Sequence, residues 1–140
     1  MTKQADIQIL FGSGDIKAVY KKALAEKSVD FICLASNYDD VLGSWFDDTY
    51  SPKLYGEVNT REILPDTAEN RAYAEKKDAL KNKVVFTKRT RSETDVICGA
   101  DWVALISYSP GNPLAVVIEE KELVKALKTQ FEEEWETLSS

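Results

Sequence analysis

The sequence predicts an α/β fold, a three-layer sandwich in which a mixed sheet of six to seven strands is flanked by helices on both faces. Strand-like and helix-like segments alternate early in the chain, and three strand-like runs follow one another before a last helix. No internal repeat, low-complexity tract or linker interrupts this pattern. With 140 residues and 44% hydrophobic content, we expect residues 1–140 to form one domain with a sizeable core.

The first third of the chain shows the alternation most clearly. The apolar run at 7–11 predicts a strand that stops at Gly12, and Ser13 is placed to cap the helix that follows. Within residues 14–27, apolar side chains recur at helical spacing on one face, with lysines on the other. The nearly continuous apolar run at 29–35 is typical of a central strand that is covered on both faces.

The next segment, residues 39–57, carries apolar side chains at roughly helical intervals. Pro52 lacks a backbone N–H and clashes with the preceding turn, so this helix is predicted to kink or end near Tyr50. A strand is predicted at 58–64.

The second half completes the sheet and adds two helices. Asp66 and Glu69 stand at the spacing of a capping box, ahead of a polar helix that should be solvent-exposed. From Glu119 onward, apolar residues recur at steps of three and four, which predicts a C-terminal helix with a strongly apolar face. Further strands are predicted at 84–87, 94–98, 103–107 and 114–118.

Composition excludes several classes of function. A net charge of -6 gives no concentrated basic face, so this chain alone is not expected to bind DNA. Cys33 and Cys98 lie in apolar runs, where a thiol behaves as a small hydrophobe, and this favours a reducing, cytoplasmic setting. Neither a signal peptide nor a membrane span is predicted, so we expect no membrane partner.

The absence of histidine is the most restrictive feature of the composition. It removes Ser-His and Cys-His nucleophile systems, imidazole general bases and histidine metal sites. Any catalysis would depend on carboxylates, lysine, tyrosine or cysteine. No cofactor is predicted.

A glycine-bearing segment at 11–17 follows a strand and opens a helix, which is the context of a phosphate cradle. The segment lacks the third glycine of a dinucleotide site and the lysine of a P-loop. Asp15 would place a negative charge where an anion would dock. We therefore interpret Asp15 as compensation of the helix dipole.

Two acidic pairs, Asp39-Asp40 and Asp47-Asp48, have side chains suited to Mg²⁺ or Ca²⁺. Adjacent residues on a helix diverge by about 100° and do not converge on one ion. A helix cap and a solvated face explain the pairs better.

The basic loop at 88–91 and Trp102 are further candidates. Arg89 and Arg91 would suit the clamping of an anionic group, although a solvated loop explains them as well. Trp102 lies in a predicted hairpin turn, where a large aromatic residue serves as a lid, a stacking surface, an interface anchor or simple packing.

Three long phrases of the sequence resemble a known family. They are LFGSGDIKAVYKKAL, TREILPDTAENRAYA and ETDVICGADWVALISYSPGNPLAVVIEEKELVKALKTQFEEEW, and together they cover most of the chain. In this order they resemble the effector domain of TrmB-type sugar-responsive transcriptional regulators. The resemblance implies a phospholipase D-like fold.

The resemblance also implies that the phospholipase D chemistry has been lost. Phospholipase D enzymes use a His-x-Lys-x4-Asp motif on a strand that leads into a hairpin. That motif falls on Glu93, Asp95 and Ala100, so all three positions are changed. A carboxylate at the lysine position would repel phosphate.

A non-enzymatic domain for ligand sensing and homodimerisation is therefore the first hypothesis, with a sugar-like small molecule as the possible effector. TrmB-type regulators bind DNA through an N-terminal winged helix that this chain does not contain, so DNA is expected only through a separate or missing domain. Polar residues near strand ends are the candidate ligand contacts. They are Asn37, Tyr38, Glu93, Asp95, Trp102, Ser107, Tyr108 and Asn112.

Two alternatives remain open. The first is a protein–protein interaction module without a small ligand, in which Trp102 and the loop at 109–113 contact a second copy. The second is an enzyme that uses Glu93 and Asp95 as an acid/base pair, since residues two apart on a strand share one face.

Overall fold

The computed structural model describes residues 6–89 and 92–140. The strands are β1 (Ile7–Phe11), β2 (Ser28–Cys33), β3 (Asn59–Pro65), β4 (Asn82–Thr87), β5 (Thr94–Cys98), β6 (Val103–Ser107) and β7 (Leu114–Ile118). The helices are α1 (Gly12–Ala23), α2 (Tyr38–Leu42), α3 (Ser51–Glu57), α4 (Ala68–Glu75) and α5 (Lys121–Ser139). A π-helical turn, Phe46–Tyr50, lies between α2 and α3.

The strands form one seven-stranded mixed sheet in the order β1-β7-β6-β5-β2-β3-β4. The pairs from β1 through to β2 are antiparallel, whereas β2, β3 and β4 run parallel to one another. The carboxyl ends of β2 and β3 therefore open on the same edge of the sheet, beside the antiparallel strand β5. The predicted mixed sheet of six to seven strands is confirmed.

Two apolar cores separate the three layers. On one face, α1, α2 and α3 bury residues such as Tyr20, Leu42 and Leu54 against the sheet. On the other face, α5 buries Val124 and Phe131. The three-layer sandwich predicted from the sequence is confirmed.

The start of α1 differs from the prediction. The helix begins at Gly12, whose φ of 86° suits glycine, and Ser13 does not cap it. The carboxylate of Asp15 instead accepts a hydrogen bond of 3.2 Å from the backbone N–H of Phe11. Asp15 therefore satisfies a backbone donor at the helix start as well as facing the dipole.

The predicted capping box of α4 is wrong. Thr67 is the N-cap, and its hydroxyl accepts a hydrogen bond of 3.1 Å from the backbone N–H of Asn70. Asp66 lies one residue too early and forms an ion pair of 2.7 Å with Arg71. The short threonine side chain reaches the third helical N–H from the extended backbone that precedes the helix.

The segment around Pro52 is divided into three pieces. Helix α2 ends at Gly43, which has a φ of 63°, and the π-helical turn then extends to Tyr50. Pro52 lies in the first turn of α3, which follows the π-helical turn directly, since the backbone of Tyr50 and Ser51 is already helical. The helix therefore does not end near Tyr50 as predicted, and a change from π-helical to α-helical hydrogen bonding lies there instead.

Across residues 6–89 and 92–140, no helix combines the length and the apolar character needed to cross a bilayer.

Candidate functional site

Asp95 on β5 lies in a network of tyrosine hydroxyls under the helical layer, with only 1% of its surface exposed. Tyr20 donates to its carboxylate at 2.6 Å, and Tyr38 donates at 2.8 Å. The backbone N–H of Ala35 donates at 3.3 Å, and the hydroxyl of Tyr108 bonds to that of Tyr20. Burial raises the pKa of Asp95 to about 6, although the tyrosine donors oppose that shift. The carboxylate is thus satisfied by protein groups.

The other two positions of the phospholipase D motif also have structural partners. Glu93 accepts hydrogen bonds of 2.8 Å from both the backbone N–H and the hydroxyl of Ser36. The backbone N–H of Ala100 donates to Glu26 at 3.1 Å. These residues tie the β5–β6 hairpin to the end of β2 and to the segment after α1, and none of them supplies a cation for a phosphate.

A cavity of about 380 Å³ opens beside this network, at the carboxyl ends of β2 and β3. The sheet forms its floor, and α2, the π-helical turn, α3 and α4 surround it. This is the place where ligands collect in open α/β sheets. Its lining residues are Tyr20, Phe31, Cys33, Ala35, Ser36, Tyr38, Asp39, Phe46, Asp47, Tyr50, Leu54, Tyr55, Glu62, Leu64, Thr67, Glu69, Asn70 and Tyr73.

Aromatic rings form the side of the cavity nearest Asp95. The ring of Phe46 stacks on that of Tyr38 at 4.8 Å between centroids. It also meets Tyr20 edge-on at 5.4 Å and lies tilted against Tyr50 at 5.5 Å. The π-helical turn brings Phe46 and Tyr50 into this cluster. Such mutual ring contacts fix the wall before any ligand arrives.

A buried ion pair forms the opposite side of the cavity. Glu62 on β3 is 2% exposed and pairs with the ammonium of Lys77, just beyond α4. The ammonium lies 3.8 Å from the ring centroid of Tyr55 and 3.9 Å from that of Tyr73. Tyr55 also donates to Glu62 at 3.0 Å. Burial lowers the pKa of Lys77, against the attraction of Glu62.

The members of each acidic pair diverge, as the sequence predicted, and all four aspartates are exposed. Asp39 and Asp47 both line the cavity, whereas Asp40 and Asp48 do not. Burial and the nearby carboxylates of Asp39 and Asp48 raise the pKa of Asp47. One member of each pair therefore faces the cavity. In the described part of the chain, no cluster of three or more acidic or cysteine side chains could hold a metal ion.

The candidate ligand contacts divide into two groups. Tyr38 lines the cavity, while Asp95, Tyr108, Glu93 and Asn37 lie in the hydrogen-bonded layer around it. In that layer the amide of Asn37 donates to the carbonyl of Tyr108 at 3.0 Å.

Ser107 and Asn112 do not line the cavity. The Ser107 hydroxyl bonds to that of Ser109 at 3.0 Å, and the backbone N–H of Asn112 donates to the carbonyl of Ser109. Ser107 is therefore the last residue of β6, and Asn112 belongs to the turn between β6 and β7.

Trp102 is a packing residue and not a lid. It is 5% exposed, and its indole N–H donates to Glu26 at 2.7 Å. Gly99 allows this arrangement, because a Cβ at that position would overlap the indole ring and the Glu26 carboxylate.

The basic loop is only partly described. The guanidinium of Arg89 pairs with Glu134 on α5 at 3.2 Å, and the predictions for Thr90 and Arg91 lie outside the described residues. Arg89 thus forms an ion pair that joins the loop to α5.

Sequence reasoning missed Glu62, Lys77, Tyr55 and Tyr73. A charged residue inside the strand pattern of 58–64 was the available signal, since a buried carboxylate requires a partner. The identity of that partner depends on how α4 packs, which the spacing of residues does not specify.

No protein-family model matches the sequence, and no curated protein is significantly similar to it. Solved structures of the same fold do match. NucT from Helicobacter pylori superimposes with a TM-score of 0.68 and 12% sequence identity, over 95% of this chain and 97% of that chain. Nuc from Salmonella typhimurium, a phospholipase D family member, gives 0.68 and 14% identity over 95% of both chains.

TrmBL2, an archaeal chromatin protein whose structure shows a novel mode of DNA binding, has a TM-score of 0.58 and 15% identity. The match covers 94% of this chain and 52% of TrmBL2. These likenesses confirm the predicted phospholipase D-like fold, and the predicted similarity to TrmB-type domains is supported by TrmBL2 at the level of the fold.

Proposed function

We propose that this chain is a non-enzymatic ligand-binding domain of phospholipase D-like fold and acts as the sensing part of a TrmB-type regulator. The proposal rests on one observation, that two features lie side by side. The position of the phosphate-gripping lysine is taken by the buried Asp95, and a cavity of about 380 Å³ lies beside it at the strand ends. The arrangement keeps a place for a ligand and lacks the groups that would attack a phosphodiester.

The absence of phosphodiesterase chemistry is supported by the lack of histidine and by the state of the residues at the motif positions. The chain contains no histidine, so the nucleophile of the phospholipase D reaction is missing. An acid/base pair of Glu93 and Asp95 is poorly supported, because Asp95 is 1% exposed and both carboxylates accept hydrogen bonds from protein groups. A general base needs to reach the proton it removes.

The sensing role is supported by the composition of the cavity walls. Residues of the sheet, such as Cys33 and Glu62, face residues of the helical layer, such as Phe46 and Tyr73. A ligand that contacts both layers favours one arrangement of the helices over another, and that difference in affinity is what a sensor requires.

The proposal includes the partners expected from the sequence. DNA would be contacted by a separate winged-helix domain, since this domain carries a net charge of -6. A second copy would form a homodimer. The free thiols of Cys33 and Cys98 are consistent with a reducing, cytoplasmic setting.

A thermal-shift screen against sugars, polyols, amines, sugar phosphates and nucleotides tests the proposal. A ligand at about 100 times its dissociation constant stabilises the domain by roughly 2.7 kcal/mol, which raises the melting temperature by several degrees. We expect Glu69→Trp, at the exposed mouth of the cavity, to abolish the shift. Glu75→Trp, on the same helix but outside the cavity, should retain it.

A phosphodiesterase assay with bis(p-nitrophenyl) phosphate completes the test, and we expect no turnover. Hydrolysis by the pure protein would contradict the non-enzymatic assignment. A flat screen with a folded protein would instead favour the alternative function, an interaction module without a small ligand.

A further inference from the structure

The charges that face the cavity are negative. Asp39, Asp47 and Glu69 lie around it with exposed or partly exposed side chains, and Glu62 is buried in its wall. Among the described residues that line it, none is a lysine or an arginine. Burial, and after it the neighbouring carboxylates of Asp39 and Asp48, raise the pKa of Asp47. An anionic ligand would be repelled here.

Aromatic rings supply the second requirement for binding a cation. Tyr38 and Phe46 stack beside the two aspartates, and Tyr50 adds a third ring to the same wall. Ring faces attract ammonium and guanidinium groups within about 6 Å, most strongly where water is excluded. Rings and carboxylates together suit an organic cation with an apolar body better than a bare metal ion.

The protein already holds one ammonium group in this way. At the far side of the cavity, Lys77 is seated on the rings of Tyr55 and Tyr73 and paired with Glu62. That arrangement neutralises Glu62 and leaves the charges of Asp39 and Asp47 without a cation of the chain among the lining residues. Lys17 and Lys21 lie over Trp45, which is outside the lining.

We propose that the cavity binds a small organic cation, an alkylammonium or guanidinium compound, through Asp39, Asp47 and the rings of Tyr38 and Phe46. The inference rests on the proposed ligand-sensing function and replaces the expected sugar-like effector with a cationic one. The ligand's charged group lies between the two aspartates and its apolar body lies against the rings.

Isothermal titration calorimetry with putrescine, agmatine and choline, each at constant ionic strength, tests the inference. We expect at least one of these cations to bind the wild-type protein. Asp39→Asn with Asp47→Asn should weaken that binding severalfold, since two solvent-exposed charge contacts with the ligand are lost together. Asp40→Asn with Asp48→Asn changes the net charge equally and should leave binding unchanged.

A second pair of variants tests the contribution of the aromatic rings to binding separately from that of the carboxylates. Phe46→Leu keeps an apolar side chain but removes the ring, and it should weaken binding severalfold. Trp45→Leu removes a ring outside the cavity and should not. Circular dichroism and melting temperature establish that each variant is folded.

The outcomes distinguish the two proposals. Equal loss of binding in both aspartate variants would mean a diffuse counterion effect and would overturn the inference. If a neutral sugar binds and the cations do not, the inference is wrong and the sensing function stands. If no compound binds the folded wild-type protein, both proposals fail.

Discussion

Asp95 is a carboxylate placed where a phosphate-binding enzyme would need a positive charge. Its position between Tyr20 and Tyr38 fixes the spacing between α1, the start of α2 and the sheet. The group is held by hydrogen bonds and is also deprived of water, and these two effects act on its ionisation in opposite directions. Which effect is larger can be measured as a dependence of stability on pH.

Burial raises the pKa of Asp95 from the ordinary value of 3.8 to about 6, so the folded protein retains this proton over a range in which the unfolded chain has lost it. The contribution of Asp95 to stability is therefore full below pH 3.8 and is lost as the pH rises to about 6. Relative to Asp95→Asn, the wild-type free energy of unfolding should fall by about 3 kcal/mol across this interval.

Urea unfolding of both proteins at half-unit steps from pH 3.5 to pH 7, roughly the interval set by the two pKa values, gives this difference directly. A difference that grows with rising pH would show that the tyrosine donors outweigh burial and that the folded-state pKa is lowered.

At the scale of elements, β3 and α4 are joined by a charge pair and not by an apolar face. Helix α4 buries none of its residues fully, and its contacts with the rest of the fold include the Tyr73–Tyr55 and Asn70–Pro65 hydrogen bonds and, just beyond its end, the pair of Lys77 with Glu62. Glu62 in turn depends on that attachment, because a carboxylate that is 2% exposed would otherwise lack a counter-charge.

Lys77→Met should lower the free energy of unfolding by about 3–5 kcal/mol, because it leaves Glu62 buried and unpaired. Glu62→Gln combined with Lys77→Met should cost clearly less than the sum of the two single changes, since both charges are then removed. Urea unfolding measures the free energy of unfolding of each variant. Arg71→Met, which breaks the exposed pair with Asp66, is the control and should cost less than about 1 kcal/mol. Equal losses of stability for Lys77→Met and Arg71→Met would contradict the burial of the Lys77–Glu62 pair.

The elements of the sheet were predictable from the sequence, because apolar β-branched runs determine strands by their local period. The three-layer order followed from the alternation of these runs with amphipathic helices. The cap of α4 was not predictable by the same means. Asp66 and Thr67 are both good caps, and the choice between them depends on where β3 releases the chain.

The site was harder to predict than the fold. Residues tied to the motif phrases, such as Asp95 and Tyr108, were identified from the chain, and Tyr38 was identified at a strand end. Asp39 and Asp47 were set aside, because adjacent residues on a helix diverge and a helix cap and a solvated face explained the two acidic pairs. The break at Gly43 and the π-helical turn change that geometry, and neither has a clear sequence signature.

At the scale of the whole molecule, the edge strand β1 has an apolar face that the described residues do not cover. Ile7, Ile9 and Phe11 alternate along the strand and are 53%, 60% and 59% exposed. The strand pairs with β7 on one side only. An exposed apolar edge of this kind is suited to pairing with a second copy, which supports the proposed homodimer.

Light scattering at micromolar concentration should give twice the chain mass for the wild-type protein. Ile9→Lys should give a monomer, because it would place a charge beside the apolar side chains of the paired strand on the same face of the sheet. Leu80→Lys changes a residue that is 90% exposed elsewhere and should remain dimeric. A monomeric wild type would contradict the dimer, and dimers of both variants would place the interface away from β1.

The pairing of β1 with β7 also affects the order in which the chain acquires its structure during synthesis. Ile7 is opposite Ile118, so the first strand to be made has no backbone partner until the last strand of the sheet has left the ribosome. During that interval β1 remains without a partner strand beside the growing domain. A nascent chain stopped before residue 114 would therefore carry β1 as an unpaired apolar strand, the kind of exposed surface that makes folding intermediates prone to aggregate.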